Sequence, residues 1–197
     1  MNILSEHHHI PFGPYLVKMN VSLDFCKRLL KIGKKLTTSH HKHLAGQIKH
    51  EYLYDLGKHL WIEEEFKIYI NTWIDGFRQF SESPNFNPKY KLDALWINFQ
   101  KSKEYNPTHI HTNCNLSFAL FLEVPKKILK EKRISKGDPP GYTVFFYGEE
   151  NFGVKTHQRI RPEVGTLLMF PARLRHHVPH FNSKVTRTTV SGNVRFL

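Results

Sequence analysis

Apolar residues return every three or four positions between Ile62 and Phe80. Ile62, Phe66, Tyr69, Ile70, Trp73, Ile74 and Phe77 fall on one broad face, which predicts an amphipathic helix packed on a core. A shorter run of the same period starts at Leu23 and continues through Cys26, Leu29 and Leu30. Ser22 stands where an N-cap belongs, and Gly33 is placed to stop this first helix. Ahead of it, "PYLVKMNVS" (14–22) reads as a short strand. Between the helices, "LTTSHHKHLAGQIKHEY" (36–52) has no apolar period and reads as a polar, histidine-rich surface loop. Prolines and asparagines in "SESPNFNPKY" (81–90) end the second helix.

From residue 93 the pattern changes. "DALWINFQK" (93–101), "LSFALFLEV" (116–124), "TVFFYG" (143–148), "TLLMFP" (166–171) and "TRTTVSGNVRF" (186–196) are short runs rich in β-branched and aromatic residues, parted by turn signals. Helices followed by a run of strands predict an α+β fold, with the helices on one face of a mostly antiparallel sheet. No repeat and no linker divides the chain. The expectation is one domain over 1–197, with a strand and supporting helices in 1–92 and the sheet core in 93–197. The insert "KKILKEKRISKGDPPG" (126–141) is basic and reads as a loop able to touch a substrate. Trp96, Asn98 and Gln100 alternate on one strand, which suits the lining of a pocket and a half-buried strand equally.

The chain has 197 residues, 40% of them hydrophobic and 13% aromatic, enough for a substantial core. No apolar run approaches the roughly 20 residues of a membrane span, and "MNILSEHHHIPFGP" lacks a secretory pattern. The two cysteines, Cys26 and Cys114, are too few for a disulfide framework or a cysteine zinc cage. A cytoplasmic protein is expected, in the host cytoplasm if a phage encodes it. The formal net charge of +12 allows an anionic partner such as nucleic acid, although no recognition motif accompanies it.

Candidate chemistry sits in "NPTHIH" (106–111). Alternate residues of an extended segment face one way, so His109 and His111 can point inward together. A third ligand is available from His176, His177 or His180 in "FPARLRHHVPHF" (170–181). In the strand that follows, Arg187, Thr189, Ser191 and Asn193 share one face. Such a polar face implies a bound polar ligand inside a barrel and only solvent outside one.

In order and spacing, "LWINFQ" (95–100), "NPTHIH", "LSFALFLEVP" (116–125), "VGTLLMFPARLRHHV" (164–178) and "RTTVSGN" (187–193) resemble the iron(II)- and 2-oxoglutarate-dependent oxygenases, in particular their prolyl-hydroxylase-like branch of marine phages and bacteria. The resemblance covers residues 93–197 well and "LAGQIKHEY" (44–52) more loosely. It implies a double-stranded β-helix, or jelly-roll, core. It also implies iron held by His109, position 111 and His176, the last because it stands two residues after Leu174 and two before Val178. Arg187 would bind the far carboxylate of 2-oxoglutarate, with Thr189 sharing it. Iron(II), 2-oxoglutarate and dioxygen would hydroxylate a C–H bond, as of a peptidyl proline, yielding succinate and CO2.

This chain departs from the family's pattern twice. The superfamily usually carries a carboxylate two residues after the first histidine, where His111 stands here. Three imidazoles would leave a metal its full 2+ charge, while Asn113 and Asn115 are poorer ligands. Many relatives carry a tyrosine where Phe121 stands, and Ser117, on the same face, is the expected substitute. The residues leave two other readings open. One is a nucleic-acid-binding or base-demethylating protein on the same barrel. The other is a cupin-like three-histidine metalloenzyme that uses no keto acid.

Overall fold

The computed structural model describes residues 7–10, 13–132 and 136–197. Part of the N-terminal stretch read for a secretory pattern, and residues 133–135 of the insert, lie outside these. Strands β1 (His7–Ile10) and β2 (Leu16–Asn20) lead to helix α1 (Leu23–Gly33). The hydroxyl of Ser22 accepts a hydrogen bond from the Phe25 amide, as an N-cap should. Gly33 ends α1, but not as a left-handed cap: Lys34 follows in right-handed geometry. The glycine is needed for space, because a Cβ would stand 2.3 Å from Ile97 and 2.7 Å from the Tyr54 hydroxyl.

After β3 (Glu51–Leu53), helix α2 runs from Leu60 to Phe80, starting one half-turn before the apolar period does. Strands β4 (Tyr90–Gln100), β5 (Asn106–His109) and β6 (Leu116–Glu123) follow. The insert opens with one helical turn, α3 (Lys126–Leu129). Strands β7 (Thr143–Phe146), β8 (His157–Ile160), β9 (Thr166–Pro171), β10 (Arg175–Val178) and β11 (Arg187–Phe196) complete the fold.

Two antiparallel sheets face each other. The larger has the order β1-β2-β9-β6-β11-β4-β3 and the smaller β5-β10-β7-β8. The core strands pass back and forth between the sheets, with the successive β7 and β8 paired together in the smaller one, in the manner of a double-stranded β-helix. Strand β11 lies in the interior of the larger sheet, paired along its length with β4 and β6.

The larger sheet is buried on both faces, and each face has its own chemistry. Leu95 and Ile97, Phe118 and Leu120, Leu167 and Met169, and Val190 and Val194 point outward to the helices. Helix α2 meets them with Ile62, Phe66, Ile70 and Trp73, and the Phe66 and Phe118 rings lie 4.6 Å apart. The alternate residues point between the sheets, where Leu16, Phe121, Phe145, Leu168, Phe170 and Leu174 form a second apolar cluster. Among the described residues no helix is long and apolar enough to cross a membrane.

Because Phe66 is fully buried at the centre of the helix–sheet contact, Phe66→Ala should cost about 3–5 kcal/mol of stability. Urea denaturation followed by circular dichroism would measure the loss.

Candidate active site

The inner face of the larger sheet turns polar toward one end, and the cavity lies there. It has a volume of about 310 Å³ and is walled by both sheets and by the 40–46 segment. Three histidines converge on it. His109 ends β5 and His176 lies on β10, and the two are direct cross-strand partners. His111 lies just beyond β5, where its amide donates to the Ala172 carbonyl (2.8 Å). One ring nitrogen from each histidine lies within 4.8 Å of those of the other two.

Backbone carbonyls fix two of these rings. His109 donates from Nδ1 to the Pro107 carbonyl (2.7 Å), and His176 from Nδ1 to the Leu174 carbonyl (2.8 Å). A carbonyl can only accept, so each Nδ1 carries the proton and each Nε2 keeps its lone pair, the tautomer a metal ligand needs. Burial lowers the pKa of all three. His111 falls to about 3, by desolvation and then by His109. His176 lies well below its ordinary value, by desolvation and then by His109 and His111. His109 is lowered chiefly by desolvation, against its bond to Pro107. Three neutral imidazoles facing one point form a donor set that fits a divalent transition metal.

His177 points elsewhere. Its Nε2 meets Asp138 at 3.0 Å, and Asp138 also accepts from Arg159 (2.6 Å), so the basic insert is tied down at this end.

Arg187 is 3% exposed and lines the same cavity. Its Nη1 donates to Gln100 Oε1 (3.2 Å), and its guanidinium carbon lies 5.0 Å from the centre of the Phe121 ring. The phenylalanine in the usual tyrosine position thus offers its face to the cation. Arg187 Nε has no hydrogen-bond partner among the described residues, and burial pulls the guanidinium pKa down to about 9. A buried cation without an anion is costly, so this pocket fits an anionic ligand. Thr143, on β7 across the cavity, also has a buried hydroxyl without a partner. Sequence reasoning missed it. The available signal was the threonine of "TVFFYG", two residues before Phe145 and so on the same strand face.

The other expected residues divide. Trp96, Asn98 and Thr189 line the cavity, and Asn98 Nδ2 donates to the Thr189 and Ser191 hydroxyls (3.2 and 3.1 Å). Gln100 is fully buried. It links Arg187 to the Glu104 carbonyl, to which its Nε2 donates (2.7 Å), so it steadies the guanidinium without lining the cavity. Ser117 does not join Arg187. Its register partner is Asn193, whose amide oxygen accepts from its hydroxyl, six residues along β11 from Arg187. At about 3.4 Å per residue that is roughly 20 Å. Phe121, not Ser117, occupies the face beside the guanidinium. The 36–52 segment is also more than a surface loop, since His40, His43 and Glu51 line the cavity.

A family model described as 2OG-Fe(II) oxygenase matches residues 94–193. Among the curated proteins none matches. Among solved structures the chain is similar to the viral collagen prolyl hydroxylase of Paramecium Bursaria Chlorella virus-1 in its 2OG complex, with a TM-score of 0.62 and 15% identity over 94% of this chain and 98% of that one. It is similar to a prolyl-4-hydroxylase of Pseudomonas putida at 0.54 and 14%, over 93% of each chain. It is also similar to the alpha-ketoglutarate-dependent epimerase SnoN of nogalamycin biosynthesis at 0.57 and 12%, over 91% of this chain and 78% of that one. With the model spanning the core strands and the three-histidine cluster within its reach, the chain belongs to the 2OG-Fe(II) oxygenases, enzymes that use iron(II), 2-oxoglutarate and dioxygen.

Proposed function

We propose that this oxygenase hydroxylates a C–H bond of a peptidyl residue such as proline, with His109, His111 and His176 holding iron(II) and Arg187 holding the distal carboxylate of 2-oxoglutarate. One observation carries the reading. A buried guanidinium with an unpartnered Nε opens into the same cavity as three imidazoles. A dicarboxylate chelating a metal at one end and meeting a cation at the other satisfies both. The prolyl hydroxylases among the similar structures support a peptide substrate. The nucleic-acid reading has only the overall charge behind it, and a metalloenzyme without a keto acid leaves Arg187 unexplained.

When bound, iron with the keto acid and dioxygen supplies C–H oxidation coupled to decarboxylation to succinate. This chain's residues bind, orient and exclude water. The carbonyls of Pro107 and Leu174 lock two rings in the ligating tautomer. Phe145 and Phe170 pack 5.6 and 4.8 Å from the His176 ring and keep that side dry. Arg187 offers fork geometry that a lysine cannot, and Gln100 and Phe121 hold it in place. Thr143 Oγ1, facing the same cavity, adds a donor to the carboxylate. Thr189, engaged by Asn98, adds an acceptor or donor beside it.

His176→Ala should abolish manganese binding, measured by anaerobic titration calorimetry, together with iron-dependent turnover of 2-oxoglutarate. His111→Ala should weaken both. If it keeps full metal affinity, His111 is not a ligand.

Arg187→Ala should raise the apparent 2-oxoglutarate constant roughly thirty-fold or more, since truncating one partner of a buried charge pair costs about 2–5 kcal/mol. Metal binding should change little, and Arg187→Lys should restore only part of the affinity. Equal keto-acid consumption by Arg187→Ala and the parent would refute the assignment.

Arg187→Met should make the ligand-free protein more stable. The folded state holds this proton less tightly than the unfolded chain does. The penalty is therefore fully present below about pH 9 and fades as pH rises toward arginine's ordinary value. The melting temperature at neutral pH should rise, by about 2–4 °C per kcal/mol recovered, and added 2-oxoglutarate should no longer raise it.

A further inference from the structure

Glu51 is a further buried polar group in this cavity, and the keto-acid assignment does not use it. It lies on β3 at the edge of the larger sheet, opposite Asn98 on β4, which in turn lies opposite Thr189 on β11. The three form one row across the inner face. Glu51 lines the cavity, is 1% exposed, and its Oε2 has no hydrogen-bond partner among the described residues. The 40–46 segment holds it in place. The His40 amide donates to the Glu51 carbonyl (2.8 Å), and the Gln47 amide to that of Tyr105 (2.8 Å), so the segment spans from β3 to the chain just before β5. Gly46 makes this passage possible, since a Cβ there would stand 2.2 Å from Asn106 Oδ1 and 3.4 Å from Glu51 Oε1.

The charged group that acts on Glu51 is another carboxylate, that of Glu104. Glu104 is already engaged by the Lys49 and Lys101 amides (3.2 and 2.7 Å), which leaves Glu51 alone. Burial, then Glu104, raises the Glu51 pKa to about 8. A structural glutamate at such a site would have a donor. This one lines the cavity with a buried oxygen that no protein group satisfies, as a group does when its partner arrives with a ligand.

We propose that Glu51 is a specificity residue that takes a cationic nitrogen of the oxidised substrate, the ammonium of a lysyl or the guanidinium of an arginyl side chain. This rests on the oxygenase reading and narrows the peptidyl substrate of the same cavity to residues with a cationic side chain, which proline lacks. The keto acid meets its cation at Arg187, and the substrate would bring its own cation to Glu51.

The test uses full-length protein loaded with manganese and 2-oxoglutarate under anaerobic conditions. Titration calorimetry would compare N-acetyl-lysine methylamide and N-acetyl-arginine methylamide with N-acetyl-citrulline methylamide, the uncharged isostere of the arginine probe. The cationic probes should bind about tenfold or more tightly than citrulline, on the scale of a charge-assisted hydrogen bond. Glu51→Gln should remove that preference, and Glu51→Asp should keep part of it. Equal binding of arginine and citrulline probes to the parent protein, or an undiminished preference in Glu51→Gln, would overturn the proposal. The parent comparison needs no variant, so misfolding of Glu51→Gln could not rescue it. Iron-dependent 2-oxoglutarate consumption by the parent tests the underlying reading separately. Consumption without cation preference sinks only the role of Glu51, and preference without consumption sinks only the oxygenase reading.

Discussion

Every strand at the centre of the larger sheet must satisfy two environments at once. Its outward residues meet the helices and have to be apolar. Its inward residues meet the cavity and carry the chemistry. Period-two alternation makes this possible, and β11 displays it most fully: Val190 and Val194 belong to the helix-side core, while Arg187, Thr189, Ser191 and Asn193 line the cavity. A register slip of one residue would turn the guanidinium out of the cavity to the helix side and two valines into the cavity. The length of the pairing between β11 and its neighbours β4 and β6 guards against that slip.

The same arrangement explains which parts of the fold the sequence disclosed. Helix α2 and strands β4, β6, β9 and β11 were legible because each carries a strong period over many residues. Strands β5, β8 and β10 span four residues each and hold few apolar side chains, so their identity as strands comes from pairing partners far along the chain. The iron-site candidates were nevertheless readable: the residues offered His109 and His111 with a third ligand from His176, His177 or His180, and the family resemblance chose His176. Where cross-strand register decides, the sequence was mute. Nothing in "LSFALFLEV" says that Ser117 lies opposite Asn193 while Phe121 lies opposite Thr189. Thr143 and Glu51 reach the cavity only through the pairing of the sheets.

The cavity concentrates groups that a folding chain would rather avoid burying. Arg187 Nε, Thr143 Oγ1 and Glu51 Oε2 are all buried without partners among the described residues, and all three residues line one space. The two-sided apolar packing of the larger sheet offsets that cost. Ligand recognition and foldability thus pull on opposite faces of the same strands.

The pairing of His109 with His176 across β5 and β10 has one more consequence. All four strands of the smaller sheet are four residues long, and such short pieces have little pairing of their own to keep them together. An ion gripped by a ring from each of two adjacent strands would act as a rivet through that sheet, and a third ring from the chain beyond β5 would fasten the adjoining loop. Iron supply would then govern how long the molecule survives proteolysis in a cell as well as how fast it turns over, and a shortage of the metal would remove idle copies before they could compete for substrate.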